Sequence, residues 1–348
     1  MAISLATLFL LLLAKLPQAC AQQIAHEIAW TRSDSIVFLD RDITNFQLFA
    51  LLVNRDAAPA PFVPPTPSLA HALTRWKESV LPALNPVGST DEMQQGEGFT
   101  AVANFYEAAS LWLSTGEAGY MDAIERCLMG SLPATMFYST DIVERSVAAA
   151  AVMDASQLVY ATDSVGLYVN LYINTFAHIV TPRGQDYMVD IITSMPWEGM
   201  TKLRLRSPGK HTIEATLRLR IPEWQETPLP IYVNGIEYDY NIQRGYAIIT
   251  RSWQADDEVY IPFNVVPRRV VENGRTMWRG GPIVYCLNDS LQCNARADIQ
   301  YCGEDPETRH PIYALSSTTP GDTTKHVLRP YFDLPPEKRN IWQSNQSR

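Results

Sequence analysis

Two hydrophobic periods divide the chain. From Ser68 to Ala161 the apolar positions recur at helical spacing. Leu69, Leu73, Trp76 and Val80 keep one face. Val102, Phe105, Trp112 and Leu113 form a second stripe, after which Gly116 is a natural C-terminal stop. Tyr120, Ile124, Cys127 and Leu128 mark another helix. Asp141 with Glu144 has the spacing of a capping box and opens an alanine-rich helix that ends near Tyr160. At Leu167 the period becomes two: Leu167, Val169, Leu171 and Ile173 alternate with Tyr168, Asn170, Tyr172 and Asn174, as in a half-buried strand. Further strands are predicted over residues 188–194, 202–206, 212–221, 230–233, 247–251, 258–263 and 283–287, with turn signals such as Ser207-Pro-Gly and Asn234-Gly between them. Helices followed by short strands predict two domains, a helical one over residues 22–166 and an antiparallel β-sandwich over residues 167–348.

The segment before the helices has its own marks. Residues 2–14 are an apolar run with six leucines, followed by Pro17 and the small-residue pattern Ala19-Cys20-Ala21. The run is too short to span a bilayer, so residues 1–21 are expected to be a signal peptide, and the protein to be secreted. A short strand is expected at residues 36–38, and a helix or extended run at 43–53. Five prolines from Pro59 to Pro67 then read as a linker or surface loop.

Composition narrows the partners. The chain has 348 residues, is 46% hydrophobic and carries a formal net charge of −9. That supports a sizeable core and argues against a nucleic-acid partner, which needs a basic patch. In an oxidising compartment Cys286, Cys293 and Cys302 could supply one disulfide, with Cys293–Cys302 closing a short loop. Asn288-Asp-Ser and Asn345-Gln-Ser are sequons for a eukaryotic secretory pathway. The histidines are scattered, and Cys127 on its helix reads as a core residue.

The strand half also carries a resemblance. Leu167-Tyr-Val-Asn-Leu-Tyr-Ile, Met195-Pro-Trp-Glu-Gly, Leu217-Arg-Leu-Arg-Ile-Pro-Glu-Trp, Val233-Asn-Gly, Gly245-Tyr-Ala-Ile-Ile-Thr-Arg-Ser-Trp and Arg279-Gly-Gly-Pro-Ile-Val-Tyr-Cys follow one another in order. A closing segment runs from Leu328-Arg-Pro-Tyr-Phe through Trp342. This series resembles glycoside hydrolase family 127, the β-L-arabinofuranosidases. In the helical half Ala103-Asn, Leu111-Trp-Leu, Thr115-Gly-Glu-Ala-Gly-Tyr and Glu125-Arg-Cys-Leu resemble the same family. The resemblance implies an (α/α) toroid before the sandwich. The stretch before Leu167 is too short for all its helices, so a partial toroid-like domain is expected.

The family scheme implies a cysteine thiolate nucleophile that also binds zinc, with a Glu and two further cysteines as co-ligands, and a separate Glu as acid/base. Gly96-Glu97-Gly98-Phe99 resembles the acid/base motif, which makes Glu97 the candidate catalytic residue. The same Glu97 also fits the glutamate of the metal motif, and in that register Phe99 replaces a ligand cysteine. An exposed glutamate at a helix N-terminus is the plain alternative. The cysteine pair falls on Val143 and Glu144, so no zinc ligand set is found and no metal is expected. Ser139, Thr140 and Asp141 are the nearest oxygen nucleophiles. Glu92, Glu107 and Asp141 are the nearest partners for an inverting mechanism with Glu97. The expectation is a secreted glycoside hydrolase-family protein that acts on or binds arabinofuranoside-type glycans, with no membrane partner. The alternatives are a catalytically inactive carbohydrate-binding relative and a truncated gene model.

Overall fold

The computed structural model describes residues 33–37, 67–90, 97–163, 165–180, 186–207, 212–226, 228–255, 257–272, 274–287, 299–316, 325–339 and 341. The expected signal peptide, residues 43–53, most of the proline run, Glu92, Cys293, Trp342 and both sequons lie outside these. So does Ser207-Pro-Gly beyond its serine.

Helix α1 (Pro67–Arg75) runs through a π-helical turn at Trp76–Val80 into the short α2 (Leu81–Ala83). The long α3 (Glu97–Thr115) ends where Gly116 was read as a stop. Next come α4 (Ala118–Leu128), α5 (Ser131–Tyr138) and α6 (Ile142–Asp154). The capping-box reading is half realised. The Asp141 carboxylate caps α6 by accepting from the Val143 N–H at 2.8 Å and the Glu144 N–H at 3.4 Å, but Glu144 does not reach back. Its side chain goes to α3 and to Ser139 instead.

Strands begin before Leu167, at Tyr160–Thr162, and continue with Gly166–Val169. The described strands form sheets of seven, five and six. Leu217 and Leu219 of the five-stranded sheet share one hydrophobic core with Val189, Leu203, Leu205 and Val259 of the seven-stranded sheet. Alternation therefore located the buried faces well: Ile213–Arg220 buries Ile213, Ala215, Leu217 and Leu219. Asn234 and Gly235, with φ of 53° and 78°, make the two-residue turn of the Tyr232–Val233/Ile236–Glu237 hairpin, where both central residues need positive φ.

Three features depart from the expected antiparallel sandwich. Gly166–Val169 pairs in parallel with Ile213–Arg220, because the chain first lays down strands of the seven-stranded sheet and returns by a long crossover. The predicted strand ends at Val169. Beyond it, Asn174 turns its side chain to Thr193, its Oδ1 accepting from the Thr193 N–H at 2.7 Å and its Nδ2 donating to the carbonyl at 2.9 Å. Finally, Ser33–Val37, placed by the sequence in the helical half, pairs with Thr175–Val180 at the edge of the seven-stranded sheet.

A buried polar network joins the helices to the five-stranded sheet. Arg220 is fully buried. Its Nη1 donates to Asp122 Oδ1 at 2.6 Å, its Nη2 to Glu125 Oε1, and its Nε to the Asn170 carbonyl at 2.5 Å. Trp224 Nε1 donates to the other oxygen of Glu125 at 2.7 Å. Trp112 of α3 donates to the Tyr246 hydroxyl at 2.7 Å, which donates to Asn170 Oδ1 at 2.8 Å. The guanidinium thus meets three acceptors on two elements of the fold, as a buried charge requires.

Candidate active site

Glu97 is the first residue of α3, where the helix dipole favours a negative charge. It is buried, at 7% exposure, and not the exposed glutamate of the plain alternative. Three elements meet at its carboxylate. Ser131, at the start of α5, donates to Oε1 at 2.7 Å, and the Tyr331 hydroxyl donates to the same oxygen at 2.5 Å. Arg339 Nη1 stands 3.7 Å from Oε2. Burial and the neighbouring Glu97 charge push the Tyr331 hydroxyl well above the ordinary tyrosine range, so it stays a donor. Arg339 is set by hydrogen bonds to the carbonyls of Leu334 (2.7 Å) and Ala134 (3.3 Å), and lies over the rings of Tyr138 and Tyr331.

Beside Glu97 lies a second buried carboxylate that the sequence reading did not select for chemistry. Glu144 Oε1 accepts from the Gly98 N–H at 2.9 Å, and its Oε2 accepts from Ser139 Oγ. A side chain at Gly98 has no room: a Cβ there would lie 2.4 Å from Thr135 and 2.8 Å from Glu144 Cγ. The glycine after Glu97 therefore lets α3, α5 and α6 converge. The available signal for Glu144 was its place in the family's cysteine-pair register; its capping-box spacing concealed it.

The other candidates separate from Glu97. Glu107 sits ten residues further along α3, about 15 Å of helix rise away, beyond the reach of an inverting pair. Asp141 is exposed and occupied as the cap of α6. Ser139 is engaged by Glu144, and Phe99 is exposed. Cys127 is fully buried, its thiol pushed up to about 12 by burial and donating to the Gly88 carbonyl at 3.3 Å, which makes it a core residue. Cys286 is buried on Ile283–Leu287, and Cys302 is exposed on Ile299–Glu304.

The described residues around Glu97 do not fit the zinc implied by the resemblance. Among the described residues no three His, Cys, Asp or Glu side chains converge to hold a metal ion. Val143 is exposed and Glu144 spends both oxygens on hydrogen-bond donors. What this arrangement can do chemically is hold one proton donor or acceptor at the buried Glu97.

Of the histidines, His310 is buried and its Nδ1 faces both oxygens of Asp333, at 2.9 and 2.8 Å. It stacks on Trp197 with centroids 4.8 Å apart. Among the described residues, no helix is long and apolar enough to cross a membrane.

Comparison with known proteins agrees with this architecture. Residues 166–265 match the family model of the GH127 middle domain of β-L-arabinofuranosidase. Among solved structures the chain is similar to a GH127 β-arabinofuranosidase (22% identity, TM-score 0.59, 70% of this chain and 48% of that one). It is also similar to a GH127 β-L-arabinofuranosidase from Geobacillus stearothermophilus T6 (20% identity, TM-score 0.58, 71% of this chain and 49% of that one). A third, described as a glycoside hydrolase, matches at 19% identity and a TM-score of 0.58, over 71% of this chain and 52% of that one. The chain thus spans about half the length of the solved proteins it resembles. No curated protein matches it. Residues 166–265 are thus similar to the GH127 middle domain, and the helices-then-sheets fold of the chain is similar to that of GH127 structures.

Proposed function

We propose that this is a secreted GH127-type protein that binds arabinofuranoside-type glycans, with Glu97 as its candidate acid/base and little or no hydrolytic turnover. The observation that carries the reading is the match of residues 166–265 to the GH127 middle domain, taken with Glu97 held where α3, α5 and the Tyr331–Arg339 segment meet. The leader-like run and Ala19-Cys20-Ala21 support secretion, and the short helical series supports a partial toroid. Loss of turnover follows from the site's chemistry. Removing an activated nucleophile commonly costs several powers of ten in rate, because the groups that remain supply only binding and partial charge stabilisation. Glu97 can protonate a leaving oxygen, but no described side chain is poised to attack the anomeric carbon.

The test is hydrolysis of an aryl β-L-arabinofuranoside by wild type and Glu97→Gln. Binding without turnover in both is the expected result. Robust wild-type turnover that disappears in Glu97→Gln would establish an active enzyme and make Glu97 catalytic.

A further inference from the structure

Where α2, the end of α4 and the Arg268–Glu272 strand meet, they enclose a cleft of about 410 Å³. That volume lies in the range of small-molecule sites, roughly 300–1,000 Å³. Ser131, Tyr331 and Arg339, which hold Glu97, do not line it, so it is separate from the candidate active site. Its polar wall is a ring of four charges. Arg126 donates through Nε to Glu223 Oε1 and through Nη1 to Glu272 Oε1, both at 2.6 Å. Arg279 donates through Nη2 to the same Glu223 oxygen at 3.0 Å and through Nε to the Gly281 carbonyl at 3.2 Å. The ring stays open at one point. Arg279 Nη1 and Glu272 Oε2 stand 4.0 Å apart, too far for a direct hydrogen bond. Neither atom makes a hydrogen bond with any described residue, and neither is sealed from solvent. Glu223 Oε2 likewise accepts from no described group, and the Glu223 side chain is 34% exposed.

We propose that this cleft binds a neutral polyhydroxylated ligand, a sugar ring with one hydroxyl bridging Arg279 Nη1 and Glu272 Oε2. A gap of 4.0 Å between a donor and an acceptor is the span that one interposed oxygen closes, accepting from the first and donating to the second. A hydroxyl does both at once, and each bond it makes there is charge-assisted. Glu223 Oε2 offers a place for a second hydroxyl to donate. The charges choose the ligand class. Arg126 and Arg279 cancel Glu223 and Glu272, and Arg268, which also lines the cleft, pairs with Glu226 at 3.2 Å. An anion therefore meets the two glutamates and a cation the two arginines, whereas a hydroxyl suits both. Leu81 and Val270 supply an apolar wall for the C–H face of the ring. Only the choice of arabinofuranoside as a probe rests on the glycan reading above.

Saturation-transfer NMR titration of the full chain with methyl β-L-arabinofuranoside, methyl β-D-xylopyranoside and D-glucuronate tests the proposal. Glu272→Gln keeps an oxygen for Arg126 and sets an amide NH₂ where Oε2 stands, so the bridging acceptor is lost. Val270 shares its strand face with Arg268 and Glu272, and Val270→Trp fills the cleft without removing a side-chain hydrogen bond. The expected result is binding of at least one neutral glycoside by wild type, more tightly than glucuronate, and weakened tenfold or more by each substitution. Each variant keeps the test decisive if the other fails to fold. Wild-type affinity in the folded variants would place the sugar elsewhere and overturn the subsite while leaving the GH127-type reading intact. Tighter binding of glucuronate than of either neutral glycoside would overturn the ligand class. Failure of both neutral glycosides to bind would overturn the subsite outright. Hydrolysis lost on Glu97→Gln bears on the earlier reading alone.

Discussion

Two buried acidic clusters among the described residues are built differently. Around Arg220 two carboxylates, Asp122 and Glu125, close on one fully buried guanidinium at direct hydrogen-bond distance. Around Glu97 and Glu144 the donors are hydroxyls and a backbone N–H, and the nearest guanidinium, Arg339, stands 3.7 Å off. The first arrangement fixes the helices on the five-stranded sheet, with each guanidinium nitrogen of Arg220 donating to an acceptor. The second holds its carboxylates chiefly with neutral donors, and its ion pair with Arg339 is long. The closeness of charge pairing therefore separates a structural lock from a more loosely paired carboxylate cluster.

The largest effect should come from breaking the lock. Arg220→Met leaves Asp122 and Glu125 buried with no cation, and removal of one partner from such a pair costs about 3–5 kcal/mol. A fall of that size in the unfolding free energy, read from urea denaturation, is expected. A change below about 1 kcal/mol would show that the two carboxylates can reach water and that the network is not a lock.

Acidity gives the next test. Burial, reinforced by Glu223 and Glu125 and opposed by Arg220, pushes the Asp122 carboxyl up to about 7. The folded protein then holds a proton that the unfolded chain has already released, so stability is greatest below the ordinary carboxyl value of 3.8 and falls as pH rises towards about 7. Glu223 acts in the opposite sense. Hydrogen bonds and charge from Arg126 and Arg279 outweigh burial and lower it from 4.5 to about 2, so its contribution is present above 4.5 and is lost as pH falls through 2. Thermal melts from pH 2 to 8 should therefore peak near pH 4, between the ordinary values of 3.8 and 4.5 for the two groups. Asp122→Asn should flatten the decline above pH 4; a decline that persists in this variant would remove Asp122 as its source.

Legibility of these parts in the sequence follows the same division. Strand periodicity predicted a strand over residues 212–221, but not that Arg220 on it is buried. Arg220 is buried only because α4 covers that strand end, a tertiary fact with no local signal. The hairpin of Arg268–Glu272 and Arg275–Gly280 escaped notice although Glu272-Asn-Gly-Arg275 carries the same turn chemistry as Asn234-Gly. Its first strand is half-exposed on alternate positions and fully exposed on the others, so no apolar face announces it. The glycine-flanked motif did lead to Glu97. What it could not convey was that Ser131, Tyr331 and Arg339, 34 to 242 residues away in sequence, converge there.

A smaller loss is expected at Glu97 itself. Ser131→Ala removes one of the two donors to Oε1 while Tyr331 remains, so the cost should be about 0.5–1.5 kcal/mol, the usual net value of one hydrogen bond. Equilibrium unfolding would read it. A loss comparable to that of Arg220→Met would mean that the Glu97 cluster is also a lock.

The finest test of the comparison is the cap of α6. Asp141 holds the Val143 and Glu144 N–H groups, and Glu144 is the residue that touches α3. Replacing an N-cap aspartate by alanine costs about 0.5–2 kcal/mol, typically near 1, when the helix end is otherwise independent. Asp141→Asn keeps a capping oxygen and should be nearly neutral. If Glu144 is positioned by the cap, Asp141→Ala also frees its side chain from the Gly98 N–H, leaving a buried donor unmade and driving the loss to the top of that range or past it. The double variant Asp141→Ala/Glu144→Gln separates the cases. Additive losses would mean that cap and carboxylate act independently. A combined loss smaller than the sum would show that the cap's principal contribution is to aim Glu144 at the start of α3, which makes Asp141 part of the second cluster and not merely the end of a helix.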